Sequence, residues 1–112
     1  MVFVHELGHF LAAKRVGIGF GMWFEPERVA PDSALAREHP DWLLGSPERM
    51  QLLNLGLPEA QDWLIELIAG YVESVPLAYF RHDFNIDPLG FWQAADEPDR
   101  VGITEIRYVE GL

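Results

Sequence analysis

Three polar side chains at the end of one apolar run are the first candidates for chemistry in this sequence. The run spans residues 77–80, and Arg81, Asp83 and Asn85 follow it at alternate positions. In an α/β barrel the active site lies where the strands end, so a carboxylate at this place indicates catalysis rather than structure. Arg81 would also favour the ionised form of that carboxylate, because a nearby cation stabilises the negative charge. Asp83 is therefore the first candidate catalytic residue.

A second pattern, at the amino end, predicts a different chemistry. His5, Glu6 and His9 form a His-Glu-x-x-His sequence. On a helix, residues four apart share a face, so both imidazoles could bind one Zn²⁺ while Glu6 activates a bound water. Catalytic zinc generally takes three protein ligands and a water, and no third ligand is indicated by the sequence. In the simpler interpretation the two histidines are surface or half-buried residues of an amphipathic helix, and no metal or other cofactor is bound.

Apolar periodicity and breaker residues predict the elements that must position these groups. The prediction is a helix at 2–15 ended by Gly17, strands at 18–24, 51–55 and 77–83, a helix at 58–74, a helical turn or two at 33–39 within a mostly loop-like 26–50, and a polar tail at 93–112. Strands that alternate with helices and are apolar on both faces favour an α/β fold with a parallel sheet or barrel. Three strands cannot close an eight-stranded barrel. The predicted fold is therefore a fragment of a (β/α)₈ TIM barrel that spans residues 1–112 as one partial domain.

Composition limits the classes of partner. The chain has 112 residues, a hydrophobic content of 49% and a net charge of −10. This acidity disfavours binding to nucleic acid or to an anionic membrane surface, since both require a basic face. No stretch reaches the roughly 20 apolar residues that cross a bilayer, and no signal peptide is recognisable. We therefore expect a cytoplasmic protein without membrane or nucleic-acid partners, and a possible homo-oligomer, because a barrel fragment exposes an unpaired strand edge.

Several ordered blocks of the sequence resemble the α-galactosidases of glycoside hydrolase family 36. The blocks lie at residues 19–29, 31–33, 39–44, 53–60, 80–85 and 99–107. The resemblance covers the chain from about residue 17 to its end. It implies a (β/α)₈ barrel and a retaining mechanism that hydrolyses terminal α-galactosides, with an α-galactoside oligosaccharide as substrate.

The same resemblance assigns roles to five residues. Asp83 takes the position of the nucleophile, which attacks the anomeric carbon and forms a galactosyl-enzyme ester. Asn85 matches an asparagine that orients the substrate, and Trp23 matches an aromatic wall of the galactose subsite. Arg81 stands where most relatives carry lysine and is expected to bind sugar hydroxyls. Arg49 approximately matches a substrate-binding arginine that follows a longer loop in the family.

The resemblance also implies that two parts of the family's site lie outside this segment. A retaining glycosidase needs a second carboxyl group as acid/base, roughly 5–5.5 Å from the nucleophile. The family's acid/base aspartate lies downstream of the position of Leu112, and its paired galactose-binding aspartates lie upstream. We therefore expect that the isolated chain does not hydrolyse α-galactosides.

Residues 2–17 resemble a different family, namely the zinc helix of the site-2 proteases. Those intramembrane enzymes take a third ligand from an Asp-Gly motif, and this sequence contains no Asp-Gly pair and no spanning segment. Two alternatives to the glycosidase therefore stay open. In one, the chain is a zinc metalloprotease that uses His5, Glu6 and His9. In the other, the chain is a non-catalytic remnant. Within the glycosidase prediction it also stays open whether the helix at residues 1–17 has a separate origin from the glycosidase-like segment at 18–112.

Overall fold

The protein is represented by a computed structural model, which describes residue 9 and residues 11–112. Residues 11–16 are helical, and Gly17 ends the helix with a φ of +74°, a left-handed conformation that glycine adopts without strain. The amide of Ile18 then donates to the carbonyl of Ala13 at 3.0 Å. The predicted helix end at Gly17 is confirmed, whereas residues 2–8 and 10 of that predicted helix lie outside the described residues.

A mixed set of short strands and helices follows. In chain order these elements are strands β1 (Gly21–Phe24) and β2 (Arg28–Val29), helix α1 (Ala34–Glu38), a 3₁₀ helix (Pro40–Trp42), strands β3 (Leu43–Leu44) and β4 (Gln51–Leu53), helix α2 (Pro58–Ser74), strand β5 (Tyr79–His82), and helices α3 (Leu89–Ala95) and α4 (Ile103–Glu110). The predicted turn at 33–39 is confirmed as α1, where the Ser33 hydroxyl accepts from the amide of Ala36.

Strands β1 and β5 form a parallel pair, and helix α2 is the last element of the connection between them. Their register sets Gly21 opposite Tyr79 and Trp23 opposite Arg81. The rings of Phe24 and Tyr71 lie 6.0 Å apart, so β1 packs against the carboxyl half of α2. This is a strand–helix–strand unit with a parallel crossover, the building block of α/β sheets and barrels. The predicted strands at 18–24 and 77–83 are thus confirmed as a pair with shorter bounds.

Strand β4 belongs to a separate antiparallel sheet, in the order β2-β4-β3. The prediction that residues 51–55 supply a third strand of a parallel sheet is therefore wrong. All three residues of β4 are buried, with Leu52 and Leu53 fully inaccessible. Because β4 is the central strand and both its faces are covered, it has the continuous apolar pattern that is also typical of a parallel strand.

The hydrophobic core lies between this sheet and two helices. Helix α2 has the predicted bounds, begins with Pro58 in its first turn and buries Ala60 and Leu64. The buried apolar residues of this core are Val29, Leu52, Leu53, Leu55, Ala60, Leu64 and Tyr108. Since Tyr108 lies on α4, the carboxyl-terminal helix closes the core that begins at β2.

The prediction of a polar tail at 93–112 is wrong, because the segment contains the end of α3 and all of α4. Gly102, with a φ of +87°, precedes α4, and the carboxylate of Asp96 accepts from the amides of Gly102 and Thr104 at 2.6 and 3.1 Å. Helix α4 is exposed over most of its length, which explains its polar composition. Its position depends on one buried anchor, Tyr108, whose ring lies 5.2 Å from that of Trp92.

Candidate active site

The carboxyl ends of β1 and β5 lie together, and they bring the predicted site residues to one edge. Beyond the last paired residues, the amide of Asp83 donates to the carbonyl of Phe24 at 2.8 Å. This bond continues the parallel pairing by one step and fixes the backbone of Asp83 against the end of β1. Ligands of parallel α/β sheets and barrels bind at this edge.

Two side chains and one amide of the same segment surround the Asp83 carboxylate. The Asn85 side chain donates its Nδ2 hydrogen to Asp83 Oδ2 at 2.9 Å, and the Phe84 amide donates to Oδ1 at 3.2 Å. A guanidinium nitrogen of Arg81 lies 3.6 Å from Oδ1. The predicted neighbourhood of Arg81, Asp83 and Asn85 is therefore confirmed.

These contacts lower the pKa of Asp83 below its ordinary value. The largest cause is the hydrogen bond from Asn85, which stabilises the charged form; burial opposes it, and the Phe84 amide and the Arg81 charge lower the pKa further. The sequence prediction that Arg81 favours the ionised form has the right direction, but Asn85 contributes more. The result is an ionised carboxylate with one-quarter of its side chain exposed, as a nucleophile requires.

Glu25, the first residue after β1, holds the other end of this segment. One of its carboxylate oxygens accepts from the backbone amide of Asn85 at 2.6 Å, and the other lies 2.9 Å from a guanidinium nitrogen of Arg28. Only 6% of the Glu25 side chain is exposed. Glu25 therefore links the loop after β1 to the loop after β5.

Glu27 and His82 form a second link between the same two strand ends. Nε2 of His82 lies 2.8 Å from both carboxylate oxygens of Glu27, which is fully buried. The alternation of side chains along a strand predicts that His82 points away from the face of Arg81 and Asp83, but it gives no partner for His82. The only indication was that Glu25 and Glu27 both follow a strand that ends beside β5.

Trp23 and Arg49 lie in different surroundings. Trp23 is 64% exposed and stands opposite Arg81 in the strand pair, so its ring is open to solvent beside the Asp83 cluster. Arg49 lies in the turn before β4, where its amide donates to the carbonyl of Ser46. In the described part of the chain, no hydrogen bond or ion pair connects the Arg49 side chain with Asp83. The structure therefore brings Arg81, Asp83 and Asn85 into contact and sets Trp23 opposite Arg81 in the strand register.

The alternative zinc site rests mainly on residues that the structure does not describe. His5 and Glu6 lie outside the described residues, while His9 is helical and exposed. No group of three or more histidine, aspartate or glutamate side chains suited to a metal occurs among residues 9 and 11–112. Within the same residues, none of the helices is both long and apolar enough to cross a membrane.

The chain is similar to α-galactosidases along most of its length. Alpha-galactosidase AgaA of Geobacillus stearothermophilus is 36% identical over 104 residues, which are 87% of this chain and 14% of that protein. A variant of AgaA solved in complex with 1-deoxygalactonojirimycin superimposes with a TM-score of 0.76 at 32% identity, over 93% of this chain and 16% of that one. A second variant, in complex with raffinose, gives a TM-score of 0.73 at the same identity and coverage.

These relatives are much longer proteins, since the chain spans only about one-seventh of AgaA. A family model described as Melibiase matches residues 4–112. The match takes in the parallel strand pair, the antiparallel sheet, the cluster around Asp83 and most of the amino-terminal segment at 2–17. The chain therefore belongs to the Melibiase family.

Proposed function

We propose that this chain carries the nucleophile and part of the galactose subsite of a retaining α-galactosidase, within a segment of a (β/α)₈ barrel. One observation supports the proposal above all: Asp83 is held ionised by Asn85 at the shared end of two parallel strands. Retaining glycosidases require an ionised carboxylate as nucleophile at the anomeric carbon. We infer that the sugar is an α-linked galactose, because the relatives are named α-galactosidases.

In the proposed first step, an Asp83 oxygen bonds to the anomeric carbon while the glycosidic bond breaks and its electron pair leaves with the aglycone oxygen. The product is a galactosyl ester of Asp83 with inverted anomeric configuration. Water then attacks the same carbon, displaces the Asp83 carboxylate and restores the original configuration. The donors on Asn85 and Arg81 keep Asp83 deprotonated for the first step and stabilise the carboxylate as it is released in the second.

The aglycone oxygen must receive a proton, and neither glutamate beside Asp83 is free to supply it. Glu25 is paired with Arg28 and accepts from the Asn85 amide, and Glu27 is buried against His82. We therefore propose that the acid/base residue is the family's aspartate, which the resemblance places downstream of the position of Leu112. Within this chain, Asp83 supplies attack and its neighbours supply charge and position.

The remaining predicted residues complete the subsite in this proposal. Trp23 offers an exposed aromatic face beside Arg81, on which the apolar CH face of a galactose ring can pack. Arg81 and Asn85 offer donors to sugar hydroxyls. A role for Arg49 in substrate binding stays a prediction that depends on the turn before β4. Since relatives were solved with raffinose and with stachyose, we propose an α-galactoside oligosaccharide as substrate.

The amino-terminal segment belongs to the same domain in this proposal. The Melibiase match begins at residue 4, well inside the segment that resembles a zinc helix. A relative from Lactobacillus acidophilus, alpha-galactosidase Mel36A, aligns with 97% of the chain. Both observations favour the interpretation that this segment is a barrel helix before β1, rather than a segment of separate origin.

The test is to give the complete gene product a 2,4-dinitrophenyl α-galactoside, with and without sodium azide. Dinitrophenolate leaves without a proton, so the first step no longer depends on the acid/base residue. In a reaction without azide that is stopped with acid, we expect a covalent galactosyl adduct on the peptide that contains Asp83. In the parallel reaction with azide, we expect α-galactosyl azide, because azide takes the place of water. Asp83→Gly should give no adduct and, by direct displacement, only the β-azide.

Two results would overturn the proposal. One is an Asp83→Gly variant that consumes the donor at the wild-type rate. The other is an adduct on a different residue of the wild-type protein. Asp62→Asn, on the exposed face of α2, is the matched control for loss of a carboxylate and should behave as wild type.

A further inference from the structure

We propose that Glu25 and Glu27 are positioning residues that hold Asp83 from both sides, each through one neighbour of Asp83 on the chain. The inference rests on the proposed function and extends it. Glu27 acts through His82, which precedes Asp83, and Glu25 acts through Asn85, which follows it two residues later. Neither glutamate touches Asp83 directly in the described hydrogen bonds and ion pairs, so neither is a catalytic residue.

The contact between Glu27 and His82 is short and buried on the Glu27 side. The Glu27 carboxylate is fully buried, and both oxygens lie 2.8 Å from Nε2 of His82. A buried carboxylate without a partner is strongly destabilising, so this contact resists being broken. Successive side chains of a strand point to opposite faces, so His82 can be held on one face while Asp83 is presented on the other.

The backbone of Glu27 connects this contact to the core. Its carbonyl accepts from the amide of Leu53 at 2.8 Å, and Leu53 is a fully buried residue of β4. The path from the core to the site therefore runs from β4 through Glu27 to His82, the residue that precedes Asp83. Neither Glu27 nor Leu53 has a described contact with the Asp83 carboxylate, which distinguishes this path from Arg81 and Asn85, whose side chains contact that carboxylate.

The Glu25 link controls the group that matters most to the charge of Asp83. Glu25 holds the backbone amide of Asn85 at 2.6 Å, while the Asn85 side chain donates to Asp83 at 2.9 Å. The pair with Arg28 holds the Glu25 carboxylate in place from the other side. Pro26, which is buried between the two glutamates, fixes φ and directs them to different residues of the β5 end.

The experiment compares Glu27→Gln, Glu25→Gln and His82→Gln with wild type in the complete gene product. The rate of dinitrophenolate release is measured against donor concentration, which gives kcat and KM, and thermal unfolding is recorded for each variant. Glutamine keeps the shape of the glutamate side chain at positions 25 and 27. At position 82 it replaces the imidazole by an amide that can still form hydrogen bonds. Glu66→Gln on the exposed face of α2 is the same chemical change without a described partner, and it should leave all three quantities unchanged.

We expect kcat to fall about 10- to 100-fold in Glu27→Gln and Glu25→Gln, with KM within about twofold of wild type, because small displacements of a reacting group cost up to about 100-fold in rate. If Glu27 acts through His82, the double variant of these two residues should be no slower than the slower single variant. Such non-additivity in kcat would not follow from two independent losses of stability.

The outcomes separate this inference from the proposed function. If the wild-type protein forms no adduct at Asp83, the proposed function fails. If the wild type is labelled but the glutamine variants keep its kcat, or change only KM or the unfolding temperature, the glutamates are merely structural and the inference fails. Should the buried Glu27→Gln variant not fold, His82→Gln decides the matter by the same criteria, since its side chain is 39% exposed.

Discussion

The parallel pair β1–β5 and the antiparallel sheet β2-β4-β3 differ in what their side chains contact. None of the residues in β1 or β5 is buried, and Trp23 and Tyr79 are 64% and 63% exposed. In the antiparallel sheet, all of β4 is buried and packs with α2 and α4. The candidate chemistry therefore lies at the end of the less buried unit, and the core lies in the other.

This difference shows how an exposed strand end can hold a defined geometry. The hydrophobic effect stabilises mainly the antiparallel sheet, because burial of apolar area is its source. The strand ends near Asp83 instead have polar contacts to Glu27 and Glu25, and Glu27 is in turn hydrogen-bonded to the core residue Leu53. Substitutions at the ends of β1 and β5 should therefore change mainly the reaction rate, and substitutions in the antiparallel sheet should change mainly the stability.

The strongest test of this separation is Asp83→Asn. We expect the rate of donor consumption to fall about 10⁴-fold or more, because the amide is not a nucleophile and the two neighbouring glutamates are engaged with Arg28 and His82. The unfolding temperature should stay close to that of wild type, since Asp83 is not part of the core. A large loss of stability with a retained rate would contradict the comparison.

Leu53→Ala in the antiparallel sheet should have the opposite effect, a loss of stability. Leu53 is fully buried, so the smaller side chain leaves a cavity and should lower the free energy of unfolding by about 2–5 kcal/mol. Urea denaturation measures the loss, and Ile65→Ala is the matched control, because Ile65 is 64% exposed and should change stability by less than about 1 kcal/mol. Equal losses in the two variants would mean that the core does not lie where the structure has it.

A smaller effect on stability is expected where α4 meets the core. A Cβ added to Gly111 would lie 1.8 Å from the backbone carbonyl oxygen of Leu55, so Gly111→Ala must move the end of α4. We expect a loss of about 1–3 kcal/mol in urea denaturation. Gly70→Ala is the matched control: its Cβ meets nothing within 4 Å inside α2, so alanine should instead stabilise the helix by about 0.5–1 kcal/mol. Changes of the same sign in both would refute the close packing of α4.

The sequence was sufficient to predict the elements that are determined by neighbouring residues in the chain. Pro58 and an apolar stripe were sufficient for α2, and Gly17 marked the end of the preceding helix. The polar trio after β5 was found because alternate residues at a strand end share a face, which needs no knowledge of distant contacts. The family also followed from the sequence, since its blocks lie in order along the chain.

The rest depended on contacts between distant residues. Glu27 and His82 are 55 positions apart, and no local pattern joins them. Strand β4 was assigned to the parallel sheet because burial on both faces produces the same apolar run in either sheet. Helix α4 was missed because one buried residue, Tyr108, is its main apolar anchor in the core. In each case the deciding contact came from elsewhere in the chain.

The smallest effect concerns Asp96, the second carboxylate with a lowered pKa. Hydrogen bonds from Thr104, first from its side chain, and from the Gly102 amide lower the pKa of Asp96 before α4. A lowered pKa therefore does not by itself mark a nucleophile; Asp96 stabilises a helix start, whereas Asp83 stands at a strand edge. A group with a depressed folded-state pKa adds stability above its unfolded pKa and loses it as the pH falls through the folded value. Asp96→Asn should thus lower the unfolding temperature slightly at pH 7, with the gap to wild type closing in acid and the donor rate unchanged. A gap that widens in acid would contradict the lowered pKa of Asp96, and a slower reaction would mean that Asp96 contributes to the site as well as to the start of α4.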